Sequence, residues 1–146
     1  MSISITPIKN EFELVAARLS YYSQRTVTSE DVIRFHSDDD NSLLLVKDDN
    51  EIVGALFGKW LSTTYDIVDS YLELNIWNEE GKALEAFRVA RAWFKEHGII
   101  NVKVISCARQ LMAMRICDNV GVKTKKYIPG SETVDGLPRM EMEWVL

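Results

Sequence analysis

Two apolar runs, Leu43-Leu44-Leu45-Val46 and Ile52-Val53-Gly54-Ala55-Leu56-Phe57, are separated only by the polar stretch Lys47-Asp48-Asp49-Asn50-Glu51. A parallel crossover needs roughly a dozen residues or more, so this link makes the two runs an antiparallel hairpin. Other periodicities arrange themselves around it. Ile3, Ile5 and Pro7-Ile8 alternate as a first strand. Phe12, Val15, Ala16, Leu19 and Tyr22 follow at helical spacing, with Asn10 as the N-cap, and Thr28-Ser29-Glu30-Asp31 starts a second helix. A further strand is predicted from about Ile67 to Ile76. Asn78-Glu79-Glu80-Gly81 then opens the longest helix, with Ala83, Leu84, Phe87, Ala90 and Phe94 on one face and Gly98 closing it. Val102, Val104 and Ile105 mark a strand, and Ala113, Ile116, Cys117 and Val120 mark a helix that Gly121 ends. Lys123 to Ile128 and Arg139 to Val145 close the chain as two strands. This order predicts one α+β domain over residues 1–146, a mixed α/β fold. Its sheet has about seven mostly antiparallel strands, with helices on both faces.

Composition removes several classes of function. The longest apolar run falls far below the ~18 residues of a membrane helix, so no membrane partner is expected. With 22 acids against 17 bases the net charge is −5, a poor match to a phosphate backbone, and no nucleic acid is expected. The charge suits a cationic or amine-bearing partner, although mild acidity also serves solubility. Cys107 and Cys117 make neither a disulfide framework nor a zinc cluster, and no basic-then-apolar leader precedes the first strand. The expectation is a reduced, cytoplasmic protein. His36 and His97 lack metal-ligand spacing, and Asp38-Asp39-Asp40 reads as a solvated turn, so no metal site is expected.

Four segments, in order, resemble the GNAT superfamily of acyl-CoA-dependent N-acetyltransferases. Asp49-Asn50-Glu51-Ile52-Val53-Gly54 is similar to that family's turn into its third strand. Asn78-Glu79-Glu80-Gly81-Lys82-Ala83 is similar to its pyrophosphate loop. Ala113, Ile116, Cys117, Gly121 and Val122 fall where the family tends to show A, L, Y, G and F. Tyr127-Ile128-Pro129-Gly130, the loop to Gly136 and Met140-Glu141-Met142 resemble its closing hairpin. The resemblance implies acetyl-CoA as co-substrate, a sheet splayed between its fourth and fifth strands, and an amine-bearing small molecule or protein as acceptor. It is compatible with a monomer or a homodimer.

The loop has a physical rationale. Free N–H groups at a helix N-terminus cradle phosphates, and small residues at Gly81 and Ala83 permit close approach. This sequence departs from the pattern in three respects. Asn78 replaces a usual Gln or Arg, Glu79 and Glu80 set carboxylates beside the phosphate position with only Lys82 to offset them, and Cys117 replaces a usual tyrosine. The resemblance further implies Glu73 as general base on its strand and Gln110 as a contact of the coenzyme arm. Acid catalysis at the leaving sulfur falls to Cys117, or to Tyr127 or Tyr71 in its place. Against each role stands a plainer one: Glu73 as a surface or ion-paired glutamate, Cys117 as a small core residue, Asn78 as an N-cap, Gln110 as a surface helix residue. Two functions stay open: acetyl transfer to an amine by direct attack in a ternary complex, or a catalytically degenerate binding or structural protein. The second is similar to phage-encoded members with a worn loop around Gly-Lys-Ala.

Overall fold

The computed structural model describes residues 2–107 and 111–146. Strand β1 (Ile3–Pro7) is followed by helices α1 (Phe12–Ser23) and α2 (Ser29–His36) and by strands β2 (Asn41–Asp48), β3 (Glu51–Leu61) and β4 (Thr64–Leu72). A single-turn helix α3 (Leu74–Trp77) leads into the long helix α4 (Glu80–Glu96). Strand β5 (Asn101–Cys107), helix α5 (Leu111–Val120) and strands β6 (Val122–Ile128) and β7 (Arg139–Val145) complete the chain. The strands form one seven-stranded sheet in the order β1-β2-β3-β4-β5-β7-β6. Every adjacent pair is antiparallel except β4–β5. The exception follows from the chain order, because the α3–α4 crossover lies between those two strands.

The sheet divides the apolar side chains between two faces. On one face Val15, Ala16 and Leu19 of α1 and Val32 of α2 pack on Leu43, Leu45, Ala55, Phe57 and Tyr71. On the other, Ala86, Ala90 and Phe94 of α4 and Cys117 of α5 pack on Leu44, Val46, Tyr65, Val102, Met142 and Trp144. Alternation along β2 sends Leu43 and Leu45 one way and Leu44 and Val46 the other, so a strand buried on both sides reads as an unbroken apolar run.

Local chemistry explains most of the boundaries. The β2–β3 link is a two-residue turn with Asp49 and Asn50 both at positive φ, as a primed hairpin turn requires. Thr28 caps α2 in a reciprocal box: its Oγ1 accepts from the Asp31 N–H, and the Asp31 carboxylate accepts from the Thr28 N–H. The expected Asn10 cap is not formed. The residue preceding α1 is Glu11, whose carboxylate accepts from the N–H groups of Lys9 and Asn10. The fourth strand also differs from expectation. It runs from Thr64 to Leu72, and residues 74–77, anticipated as strand, coil into α3 with Ile76 fully buried.

Gly58 on β3 faces the ring of Tyr65, and a Cβ there would sit 1.9 Å from the ring. The Tyr65 hydroxyl is within 2.5 Å of Ser42 Oγ, so the ring is fixed at both ends. Gly58→Ala should therefore cost on the order of 1–3 kcal/mol through overpacking, read as a lower urea midpoint with unchanged m-value. An unchanged midpoint would contradict this packing.

Candidate active site

The parallel ladder between β4 and β5 is short. It runs from Thr64–Asn101 to Ile67–Val104 and stops, while β4 continues to Leu72 against β3 and β5 continues to Cys107 against β7. The two strands thus diverge into an open V. A bulge explains the divergence: Phe57 faces Asp69 and Gly58 faces Ile67, leaving Val68 as an extra residue on β4. Bulges sharpen local twist and bend the strand that carries them, here immediately after its last pairing with β5.

The bulge also changes which way β4 side chains point. Tyr65 packs with the α4–α5 cluster, whereas Tyr71, an even number of residues later, packs with the α1–α2 cluster. Without an extra residue both would share a face.

A cavity of about 230 Å³ fills the V. Its α4–α5 side is apolar, with Trp77, Phe87, Cys117, Met142 and Trp144 among the lining residues; its opposite end is formed by Tyr22, Ser23, Ser70 and Tyr71. The opening therefore joins the two faces of the sheet.

At that polar end α1 and β4 form a ladder of three rungs. Arg18 contacts Glu73 at 3.3 Å, the rings of Tyr22 and Tyr71 stack at 5.4 Å and 6°, and Arg25 pairs with Asp69. Glu73 owes its place to both neighbours of the V. Its N–H donates to the Val53 carbonyl of β3, and its own carbonyl accepts from Ile76 and Trp77 to start α3. The Tyr71 hydroxyl is buried and has no hydrogen-bond partner. Burial, then the Glu73 charge, pushes its pKa up to about 12; the same two causes raise that of Tyr22. Strand alternation puts Asp69, Tyr71 and Glu73 on one side but does not reveal Arg18, Tyr22 and Arg25 as their partners. Tyr22 lies on the apolar stripe of α1 with Val15 and Leu19, with Arg18 one turn before it and Arg25 just beyond the helix end, and that spacing is the only sequence signal of the row.

The expected site residues separate into groups. Cys117 lines the cavity, buried on its apolar side, and burial lifts its thiol to about 11. Glu73 does not line the cavity; it follows the end of β4, two residues beyond the lining Tyr71. Tyr127 does not line it either. It lies on the edge strand β6, beyond β7, and is 57% exposed. Gln110 lies outside the described residues. Asn78 ends α3 rather than capping α4, donating its N–H to the Leu74 carbonyl, and Glu79 precedes α4 with no side-chain cap. Gly81 is open: a Cβ there would meet nothing within 4 Å. Ala83 faces the core instead. Lys82 reaches away from the helix end to Asp48 at 2.9 Å and lies 3.8 Å from Glu79. The Asp48 hydrogen bond is the main reason its pKa is raised. Among the described residues no group of three or more His, Cys, Asp or Glu could hold a metal, and no helix is long and apolar enough to cross a membrane.

No family model matches the sequence, and no curated protein matches it. Solved structures do. Ard1 from Thermoplasma volcanium aligns at TM-score 0.77 with 14% identity over 100% of this chain and 99% of that one. The yncA protein from Salmonella typhimurium, solved with its cofactor acetyl-CoA, aligns at 0.76 with 11% identity over 100% and 95%. The ribosomal-protein-S18-alanine N-acetyltransferase from Escherichia coli aligns at 0.74 with 9% identity over 99% and 94%. The fold is that of the GNAT N-acetyltransferases. The splay between the fourth and fifth strands, the helices on both faces and the mostly antiparallel seven-stranded sheet agree with the expectation from the sequence.

The two ends of this site differ in character. The V holds a cavity that is apolar on its α4–α5 side. The α4 N-terminus offers backbone N–H groups and the open Gly81, but its nearest side chains include Asp48, Asp49, Glu79 and Glu80, and Lys82 is held by Asp48. If Cys117 is a packed, neutral thiol, its alkylation at pH 8 should be roughly 100-fold or more slower than that of a free thiol, by mass spectrometry of its peptide. Alkylation at the free-thiol rate would contradict the buried placement.

Proposed function

We propose that this protein is an acetyl-CoA-dependent N-acetyltransferase that moves an acetyl group to an amine by direct attack in a ternary complex. The observation that carries this reading is the cavity joining both sheet faces at the V, apolar where a thioester arm would enter and polar where an amine would arrive. Transfer forms a C–N bond and breaks a C–S bond; the ammonium gives one proton to a base before attack, and the second proton that the nitrogen loses after attack balances the one delivered to the leaving sulfur.

Glu73 is the base in this reading, directly or through one water, since its side chain is only 17% exposed and its charge acts on Tyr71, which lines the cavity. Tyr71 is the better candidate for the acid, because its hydroxyl is buried without a partner and its pKa keeps it protonated across the working range. Cys117 lines the cavity from the apolar side and acts in packing. At the α4 N-terminus, Gly81 and the neighbouring backbone N–H groups of Glu80 and Lys82 would receive the diphosphate. Asn78, Glu79 and Ala83 shape that turn.

One observation favours a second reading, a binding protein that has lost catalysis: the acidic surroundings of α4 and the capture of Lys82 by Asp48. Calorimetry and turnover with acetyl-CoA and a panel of amines separate the two. The enzyme reading expects acetyl-CoA binding, thiol release, and a drop of ~10²-fold or more in rate for Glu73→Gln. Absence of binding and of turnover with every acceptor would overturn it.

The acidic helix end makes a further prediction. Replacing both Glu79 and Glu80 by Gln should tighten acetyl-CoA several-fold, since each like charge at ~4–6 Å costs on the order of 1 kcal/mol even when solvated. Unchanged affinity would move the diphosphate away from α4.

A further inference from the structure

The α1–β4 ladder arranges its charges unequally. At both ionic rungs the guanidinium is the more exposed partner: Arg18 is 48% exposed against 17% for Glu73, and Arg25 is 56% against 24% for Asp69. The carboxylates are thus the more covered partners, flanking in sequence the cavity-lining Ser70, Tyr71 and Leu72, and the two arginines face solvent. Between them the stacked Tyr22 and Tyr71 line the cavity itself. Solvent-facing ion pairs contribute little to folding, so these rungs are weak clamps that a ligand of matching charge can enter.

We propose that the acceptor is a small zwitterion of the α-amino-acid type, its carboxylate on the Arg18 guanidinium and its amine on Glu73, beside Tyr71. This inference rests on the acyl-transfer reading and names its substrate class. The argument is one of charge balance. A zwitterion entering the Arg18–Glu73 rung gives each ion a new partner of the same sign as the one it loses, leaving no charge unpaired. A simple amine would take Glu73 and leave Arg18 without its carboxylate. A cationic peptide would meet two guanidiniums on its way in. An arginine fork also matches a carboxylate geometrically, which a lone ammonium ligand would not use.

The test compares acetyl-CoA-dependent thiol release with phenylalanine, phenylalaninamide and phenethylamine, and with the corresponding leucine, glutamate and lysine series. For at least one series, the free amino acid should exceed its amide and its decarboxylated amine in kcat/KM by on the order of tenfold or more. Arg18→Gln should raise KM for the amino acid by a similar factor and lower, not raise, KM for the amine, which no longer strands a guanidinium. Arg18→Lys, which keeps the charge, should recover part of the loss. Equal use of amides or amines in every series, or an Arg18→Gln effect shared by all acceptors, would overturn the proposal. Thermal melts confirm that both variants fold. Failure of the acyl-transfer reading is recognised separately, as no acetyl-CoA binding and no turnover with any acceptor. In that event saturation-transfer NMR with the same amino acids decides. A transfer signal that disappears in Arg18→Gln supports the zwitterion seat; no signal, or one that Arg18→Gln leaves unchanged, overturns it.

Discussion

One extra residue in β4 organises the centre of this molecule. Where Val68 is inserted opposite the Phe57–Gly58 step, β4 leaves β5 and turns its following side chains over. The departure opens the V and its cavity. The reversal sends Asp69 and Tyr71 toward α1, where they meet Arg25 and Tyr22, and Glu73 continues the row to Arg18. A straight, fully paired β4 would have neither the gap nor the polar wall. Gly58, next to the bulge on β3, leaves room for the Tyr65 ring where no Cβ fits.

Two demands are set against each other at the ends of the cavity. The splay and its apolar lining suit an extended thioester arm, and the polar mouth suits an amine. The α4 N-terminus has the backbone donors that hold diphosphates, yet it is crowded by carboxylates and its nearby lysine is already paired. In the proposed reaction, backbone donors and helix dipole would have to overcome side-chain repulsion, so that acetyl-CoA affinity would respond to salt and to Glu79 and Glu80.

Much of the fold is legible in the sequence because its signals are local. The Asp49-Asn50 turn, the Thr28 capping box, the α4 apolar stripe and Gly98 and Gly121 each act within a few residues. Residues 73–77 mislead because Leu72, Leu74 and Ile76 alternate with Glu73, Asn75 and Trp77 as a strand would. Only in three dimensions does burial of Ile76 under α4 make that segment a turn of helix, leaving Leu74 61% exposed. Of the residues proposed for the site, the packed helix face marks Cys117 as a cavity-lining position, while Glu73 enters through the resemblance and sits after β4 rather than on it. Resemblance alone puts Tyr127 at the reacting centre, and two intervening strands separate its edge from β4. The Arg18 and Arg25 pairings have no sequence signature, since each joins residues over 40 positions apart.

The central claim is that the V receives a thioester arm between β4 and β5. Backbone amide NMR of the protein titrated with acetyl-CoA tests it most directly. The account predicts shifts concentrated on Asp69–Leu72 and Ile105–Ser106, with slowed hydrogen exchange along these unpaired strand edges as they gain partners. Shifts confined to other surfaces, or no shifts at saturating acetyl-CoA, would contradict it.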